Sequence, residues 1–506
     1  MPQLAHNDAE PSQLGISPSN ALTVVRILAL TVLFGAAAVY EAIHVSAILA
    51  SGVWVHLQTG LWILQNHAFP HTGLFSQYSN LPWHDASWSF DVLLGLMYRA
   101  FGLRAIPFLL MLLKVALAAT TFLLVRAGRA DFWTAVALSA AAQYVIYGLQ
   151  PLPYVFSILF FAVELILLLR SRQTGSMDLY RLPLLFLLWA NVDIQFVLGL
   201  TLLLLYLIAL GIEELIRGAD KPWVSDAVRR VDLKRAGVMA LLSLLMTFAT
   251  PYTINLLPNS FSSLYSHATF EYFAEMSAMT FRHPQEFVLM LLVMAGFLSL
   301  GRRRSLDVFS LLVLMAGTAI AFRLQRDGWL AVLPAIAIVP GGRLLQCEPL
   351  SKTSYRWQRI SASLTAIAVI FATLFLPRNG VLMDKIDQVY PVKACDYIRN
   401  NGLPQPLFNA YSWGSFLTWY LPQYPVAVDS RVELYGNRLL ESYFSVVSGK
   451  ERLETEGIVS PSGTLLLERQ SAMARALTNL PVLEARYKLV YSDDLASVFV
   501  GRAGSQ

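Results

Sequence analysis

Long apolar runs separated by short polar breaks dominate the chain. A membrane span needs roughly 20 apolar residues, fewer where neighbouring helices shelter its ends. The runs Ile27–Ile48, Ala105–Val125, Phe132–Ile146, Pro151–Leu169, Leu182–Ala190, Phe196–Ile212, Ala236–Thr250, Glu286–Leu300, Val308–Ala321, Leu330–Val339 and Ile360–Leu376 fit this pattern and predict about eleven spans. Between the first two lies a stretch of another kind, Val53–Tyr98. It has no Lys or Arg between Ala50 and Met97, yet gathers His56, His67, His71 and His84 with Trp54, Trp62, Trp83 and Trp88. That mixture predicts an interfacial, site-forming loop. Trp88–Gly102 is short and carries Asp91 and Arg99, so an interfacial or re-entrant helix is expected there rather than a span.

From Pro377 the pattern changes. Short strands are predicted at Pro406–Phe408, Val426–Val428, Gly463–Leu467, Lys488–Tyr491 and Val498–Val500, alternating with helices at Val392–Arg399, Leu439–Val447 and Arg469–Ala476. The expected organisation is a leader at 1–26, a transmembrane domain at 27–376 with its first external loop at 49–104, and a small α/β domain at 377–506.

Composition agrees with this picture. Of the 506 residues 56% are hydrophobic and 14% charged, against about 25% charged in soluble domains. The basic residues fall in short loops rather than along one face, so nucleic acid is not an expected partner. If Arg126/Arg129, Arg170/Arg172/Arg181, Arg217–Arg235, Arg302–Arg304 and Arg343–Arg359 stay inside, the N-terminus is cytoplasmic and the C-terminal domain external. The first run exceeds the core of a signal peptide and reads as an uncleaved anchor. This topology places Cys347 and Cys395 on opposite sides of the membrane, so no disulfide is expected.

Several polar residues interrupt the apolar pattern. Arg323, Arg326 and Asp327 fall on the external side between two runs. Guanidinium forks match phosphate oxygens, so the pair would hold the phosphate of a lipid carrier, or else an Arg–Asp pair closes a helix hairpin. Asp193, with Asn191 and Gln195, lines a cavity or sits at a solvated hairpin tip. In the C-terminal domain Trp413 and Gly414 would make a stacking platform, with Asp429 and Arg431 on a loop after a short strand; a structural cluster is the alternative. His56, His71, His84 and Asp85 are competent ligands for zinc or manganese, but their spacing is loose and no cofactor is expected.

VWVHLQTGLWILQNHAFP followed by LPWHDASW resembles the first loop of the GT-C class of polytopic glycosyltransferases, whose pattern is an acid, W-W-H, T-G, I-L, P and P-W. Arg326-Asp327-Gly328-Trp329 resembles that class's R-D-x-W turn, and Pro251-Tyr252 its N-P-Y turn. Asn409, Trp413–Leu417, Leu421-Pro422, Asp429-Ser430-Arg431 and Leu434-Tyr435-Gly436 resemble the N, W-G-G-Y-L, L-P, D-G-R and L-Y-G elements of a bacterial subgroup. The resemblance implies a GT-C-like membrane fold in a bacterial inner membrane. It also implies transfer of a sugar from a polyprenyl-phosphate donor to a lipid, glycan or protein acceptor outside.

One departure bears directly on chemistry. Ala50, Ser51 and Gly52 stand where the class carries its acid, so a base would be recruited from Asp85, Asp91, His56 or His84, with Asp85 expected first. Arg323 and Arg326 would bind lipid phosphate, and Trp54, Trp83, Asp193, Trp413, Asp429 and Arg431 would meet substrate. Val55, Ser415 and Ser430 also depart from the pattern, and Asp193 stands where histidine is frequent. A scaffold that kept the donor site and lost its chemistry, binding or exporting lipid-linked glycans, is the alternative.

Overall fold

The structure, a computed structural model, describes residues 18–218, 231–256, 271–273, 276–303, 306–342, 354–450 and 458–502. The leader up to position 17, parts of the basic segments Arg217–Arg235, Arg302–Arg304 and Arg343–Arg359, and Cys347 lie outside these residues.

The apolar runs become helices: α1 Pro18–His44, α2 Val53–Asn66, α3 Trp88–Phe101, α4 Ala105–Ala127, α5 Phe132–Val145, α6 Tyr154–Thr174, α7 Leu182–Ala190, α8 Phe196–Gly218, α9 Leu233–Met246, α10 Pro284–Gly301, α11 Val308–Arg323, α12 Trp329–Ile338 and α13 Ser354–Leu374. The chain is a polytopic helical membrane protein. Among the described residues five helices are long and apolar enough to cross a membrane, or six if the bent pair Ser363–Leu374 and Asn379–Asp387 is one span. One of the five, the 40-residue stretch Trp88–Ala127, joins α3 to α4. At 1.5 Å per residue it runs about 60 Å, twice a hydrocarbon core, so a single crossing uses only about half of it. The break falls at Gly102, whose φ of 62° suits a residue without a Cβ.

Helix α12 sits at the centre. All ten of its residues are buried, as expected of a helix apolar on every side. It packs on α4, α10 and α11. Gly317 lets α11 approach closely, since a Cβ there would lie 2.2 Å from the Leu330 carbonyl oxygen.

The rest of the chain forms α14 Asn379–Asp387, α15 Val392–Asn400, β1 Leu407–Asn409, α16 Tyr411–Tyr420, α17 Val432–Val447, β2 Thr464–Glu468, α18 Ala472–Asn479, α19 Pro481–Arg486, β3 Tyr487–Ser492 and β4 Ala496–Gly501. The strands make one sheet in the order β1-β2-β4-β3, with β1–β2 parallel and the other pairs antiparallel. The predicted strand at Val426–Val428 is reduced to single bridges at Val426, to Leu407 on one side and Ser76 on the other. Through them the loop after α2 adds itself to the sheet edge: Gln77 N donates to Val426 O (2.9 Å) and Val426 N to Phe75 O (2.8 Å).

Candidate functional site

The site begins where α2 crosses α3. A Cβ on Gly60 would lie 1.8 Å from the Asp91 carbonyl oxygen, and one on Gly95 would lie 3.0 Å from the Gly60 carbonyl carbon. The two glycines let the backbones come this near. One turn before each glycine stand His56 and Asp91, and the crossing brings His56 Nδ1 to 2.7 Å from Asp91 Oδ1. Asp91 is 1% exposed while 23% of the His56 side chain remains open, and the Phe90 ring meets the imidazole edge-on at 5.5 Å.

The loop between these helices is anchored from both sides. Tyr252 donates to Pro70 O (2.9 Å) and packs its ring on His71 and His84. On the other side Arg431 lies 4.6 Å from the centre of the Trp83 ring and donates to Leu74 O (2.7 Å). Asp429 fixes that guanidinium by accepting from Nε (2.9 Å) and Nη2 (2.6 Å), and also accepts from Tyr435 OH (2.9 Å). Gly414 admits the preceding segment, since a Cβ there would meet Val428 O at 2.0 Å. Asp429, Arg431 and Tyr435 thus form one buried network that clamps the first loop. Ser415 and Ser430, which depart from the glycines of the resembled pattern, bond each other: Ser415 Oγ donates to Ser430 Oγ at 2.8 Å.

These elements enclose a cavity of about 270 Å³ lined by His56, Trp83, His84, Asp85, Asp91, Asp193, Arg326 and Arg431, among others. Four buried polar atoms of its lining residues, Thr59 Oγ1, Asp85 Oδ2, Gln195 Oε1 and Arg431 Nη1, have no partner among the described residues. Buried polar groups are normally satisfied, so these atoms call for a water or a polar ligand. Burial, and next the charge of Asp91, push the Asp85 carboxyl well above its usual range, although Ser87 N donates to it (3.0 Å). Burial lowers His56. Asp193 accepts from Ser157 (2.5 Å) and is raised by burial to about 6. A second cavity of about 450 Å³ adjoins the first across Leu152, Tyr154 and Arg326; Ile146, Leu149 and Trp329 are among its walls.

Not every expected residue reaches the cavity. Trp54 is fully buried and stacks on Trp419 at 4.7 Å, and Trp413 is 5% exposed within the core, so neither offers a face to a ligand. A tryptophan fills a core as readily as it stacks on a sugar. Asp429 is enclosed behind Arg431 and, among the charged cavity groups described, hydrogen-bonds to it alone. Arg323 is exposed and lines neither cavity; its neighbour Arg326 lines both and, among the described residues, makes one hydrogen bond, at 3.5 Å to Asp327. The four candidate metal ligands His56, His71, His84 and Asp85 do not converge as a metal-holding group among the described residues. Among the His, Asp, Glu and Arg residues of the lining, Glu433 alone was not a candidate from the sequence; it accepts from Trp83 Nε1 at 3.4 Å. Its place two residues after Arg431 was the one signal in the chain.

No protein-family model matches the chain, and no curated protein does. Among solved structures it is similar to the archaeal oligosaccharyltransferase AglB from Archaeoglobus fulgidus in complex with an inhibitory peptide and a dolichol-phosphate. That match has 12% identity and a TM-score of 0.55, and covers 96% of this chain and 74% of that one. The Archaeoglobus fulgidus oligosaccharyltransferase in the apo form gives 12% identity and a TM-score of 0.54 over 98% and 76%. ArnT from Cupriavidus metallidurans bound to undecaprenyl phosphate covers 96% and 99% at a TM-score of 0.47, too low to build on. At this identity the likeness concerns fold. The fold is that of the GT-C class of membrane glycosyltransferases, as the first-loop motifs implied.

Proposed function

We propose that the protein transfers a sugar from a polyprenyl-phosphate donor to an acceptor hydroxyl at the external face of a bacterial inner membrane. The carrying observation is the single cavity that joins Asp85, Asp91 and His56 to Arg326 and presents unpartnered buried polar atoms. Arg326 would neutralise the departing phosphate, standing where the two cavities meet. The sugar would occupy the smaller cavity, beside His56, Asp85 and Asp91, and the first part of the lipid the larger one. The 377–506 region would form an external domain that completes the site, with the leader at 1–26 inside. A structurally similar protein, AglB, was solved with a dolichol-phosphate, which fits a lipid-phosphate ligand here.

The alternative of a binding scaffold rests on the missing acid at Ala50–Gly52. It is disfavoured because two carboxyls from elsewhere in the loop face the same cavity as Arg326. The test incubates the purified protein with a panel of polyprenyl-phosphate sugars and an acceptor extract, monitoring release of lipid phosphate. Turnover that falls at least tenfold in Arg326→Ala is expected; tight binding without turnover in the wild type would select the scaffold.

A further inference from the structure

Asp85 is the base expected from the sequence, yet the geometry favours another group. Its Oδ1 accepts from Ser87 N and its Oδ2 is buried without a partner among the described residues. A carboxyl so placed, beside a second one, holds its proton and is poorly suited to take another. His56 differs in every respect. Its Nδ1 is held by a 2.7 Å bond to the 1%-exposed Asp91, while the ring borders the cavity and is partly open. Its Nε2 has no hydrogen-bond partner among the described residues. The Gly60–Gly95 crossing and the Phe90 edge fix the ring plane.

We propose that His56 is the general base of the transfer, with Nε2 taking the acceptor proton, and that Asp91 is the positioning residue that sets its tautomer. This rests on the transferase reading. In the step, the acceptor oxygen bonds to the anomeric carbon of the sugar as the bond from that carbon to the phosphate oxygen breaks. The bonding pair leaves with the polyprenyl phosphate, and the hydroxyl proton passes to Nε2. Asp91 stabilises the imidazolium formed, which returns its proton to water at the cavity mouth. Asp85, protonated, donates a hydrogen bond to the sugar or the acceptor.

The test uses the full chain in lipid nanodiscs with a polyprenyl-phosphate sugar that the wild type turns over. A wild type that turns over none refutes the transferase reading itself, whereas variants of an active wild type bear on His56 alone. His56→Ala should lose about 10²–10⁴-fold in rate and regain part of it on adding imidazole. A folded His56→Ala that keeps its rate, or stays inactive at every imidazole concentration, overturns the assignment. If that variant does not fold, Asp91→Asn decides. It should lower kcat with KM unchanged and move the acid limb of kcat to lower pH, because the imidazolium loses its partner. An unmoved limb overturns the proposal. The groups that face the ring are Asp91 on α3, Asp85 in the loop, Asp193 before α8, and Arg431 and Glu433 from the C-terminal region. Asp85→Asn should lower the rate while leaving that limb in place.

Discussion

Gly60→Ala tests the crossing on which the site depends. The new methyl carbon would lie 1.8 Å from the Asp91 carbonyl oxygen and 2.4 Å from its carbon, both backbone atoms that no rotamer can move. An unstrained C···O contact is about 3.3 Å or more, so α2 and α3 must part by about 1.5 Å at this point. The His56–Asp91 bond is one turn away. Extending its 2.7 Å by a similar amount gives roughly 4 Å, outside hydrogen-bond reach. Overpacking of this kind costs about 1–3 kcal/mol, so the variant should unfold at lower temperature in detergent. Its lipid-phosphate release should fall about as far as that of His56→Ala. Gly211→Ala, whose Cβ meets nothing within 4 Å, serves as the control and should match the wild type in both measurements. A Gly60→Ala protein with wild-type midpoint and rate would refute the argument that this contact holds the dyad.

Other outcomes rest on the same geometry. Asp429→Ala leaves the 4%-exposed Arg431 charge unpaired and should cost about 3–5 kcal/mol, with faster proteolysis of the 72–82 loop; unchanged thermal and proteolytic stability would oppose it. The Asp85 carboxyl is held above its ordinary value of 3.8, so the folded state binds the proton more tightly and stability is lost as pH rises from there towards the raised value. Asp85→Asn should flatten that slope and raise the midpoint at neutral pH, and an unaltered slope in a melting series would contradict it. Ser415→Gly and Ser430→Gly should each cost about 1 kcal/mol, with a coupling of about 0.5–1.5 kcal/mol in the double variant. Strict additivity would mean that the 2.8 Å bond contributes nothing.

Much of the scaffold was readable because apolar length is a one-dimensional signal. Helix α7 has the predicted bounds Leu182–Ala190, and four of the five predicted strands lie within two residues of observed ones. The stretch around Trp413 was harder. Its Trp413 and Gly414 read as a stacking platform or a structural cluster, but Tyr411–Tyr420 is a helix whose glycine serves close contact with Val428. The His56–Asp91 pair was unreadable as a pair, since 35 positions separate two residues that meet only when two helices cross. The chain did hold a trace of it: each residue precedes a glycine by four. In the resembled T-G element, Thr59-Gly60, the glycine proves to be a packing residue.

The seam between the loop after α2 and the C-terminal sheet also bears on how the protein is made. Arg431 and the Leu74 carbonyl it binds are 357 positions apart. At about 5–20 residues per second a ribosome needs roughly 20–70 s to cover that distance. For that interval the nascent helical bundle stands with one wall of the cavity unbuilt. Synthesis itself therefore imposes an order in which the pocket closes last, and a chain cut short by a premature stop before Asp429 would insert without ever acquiring a finished site.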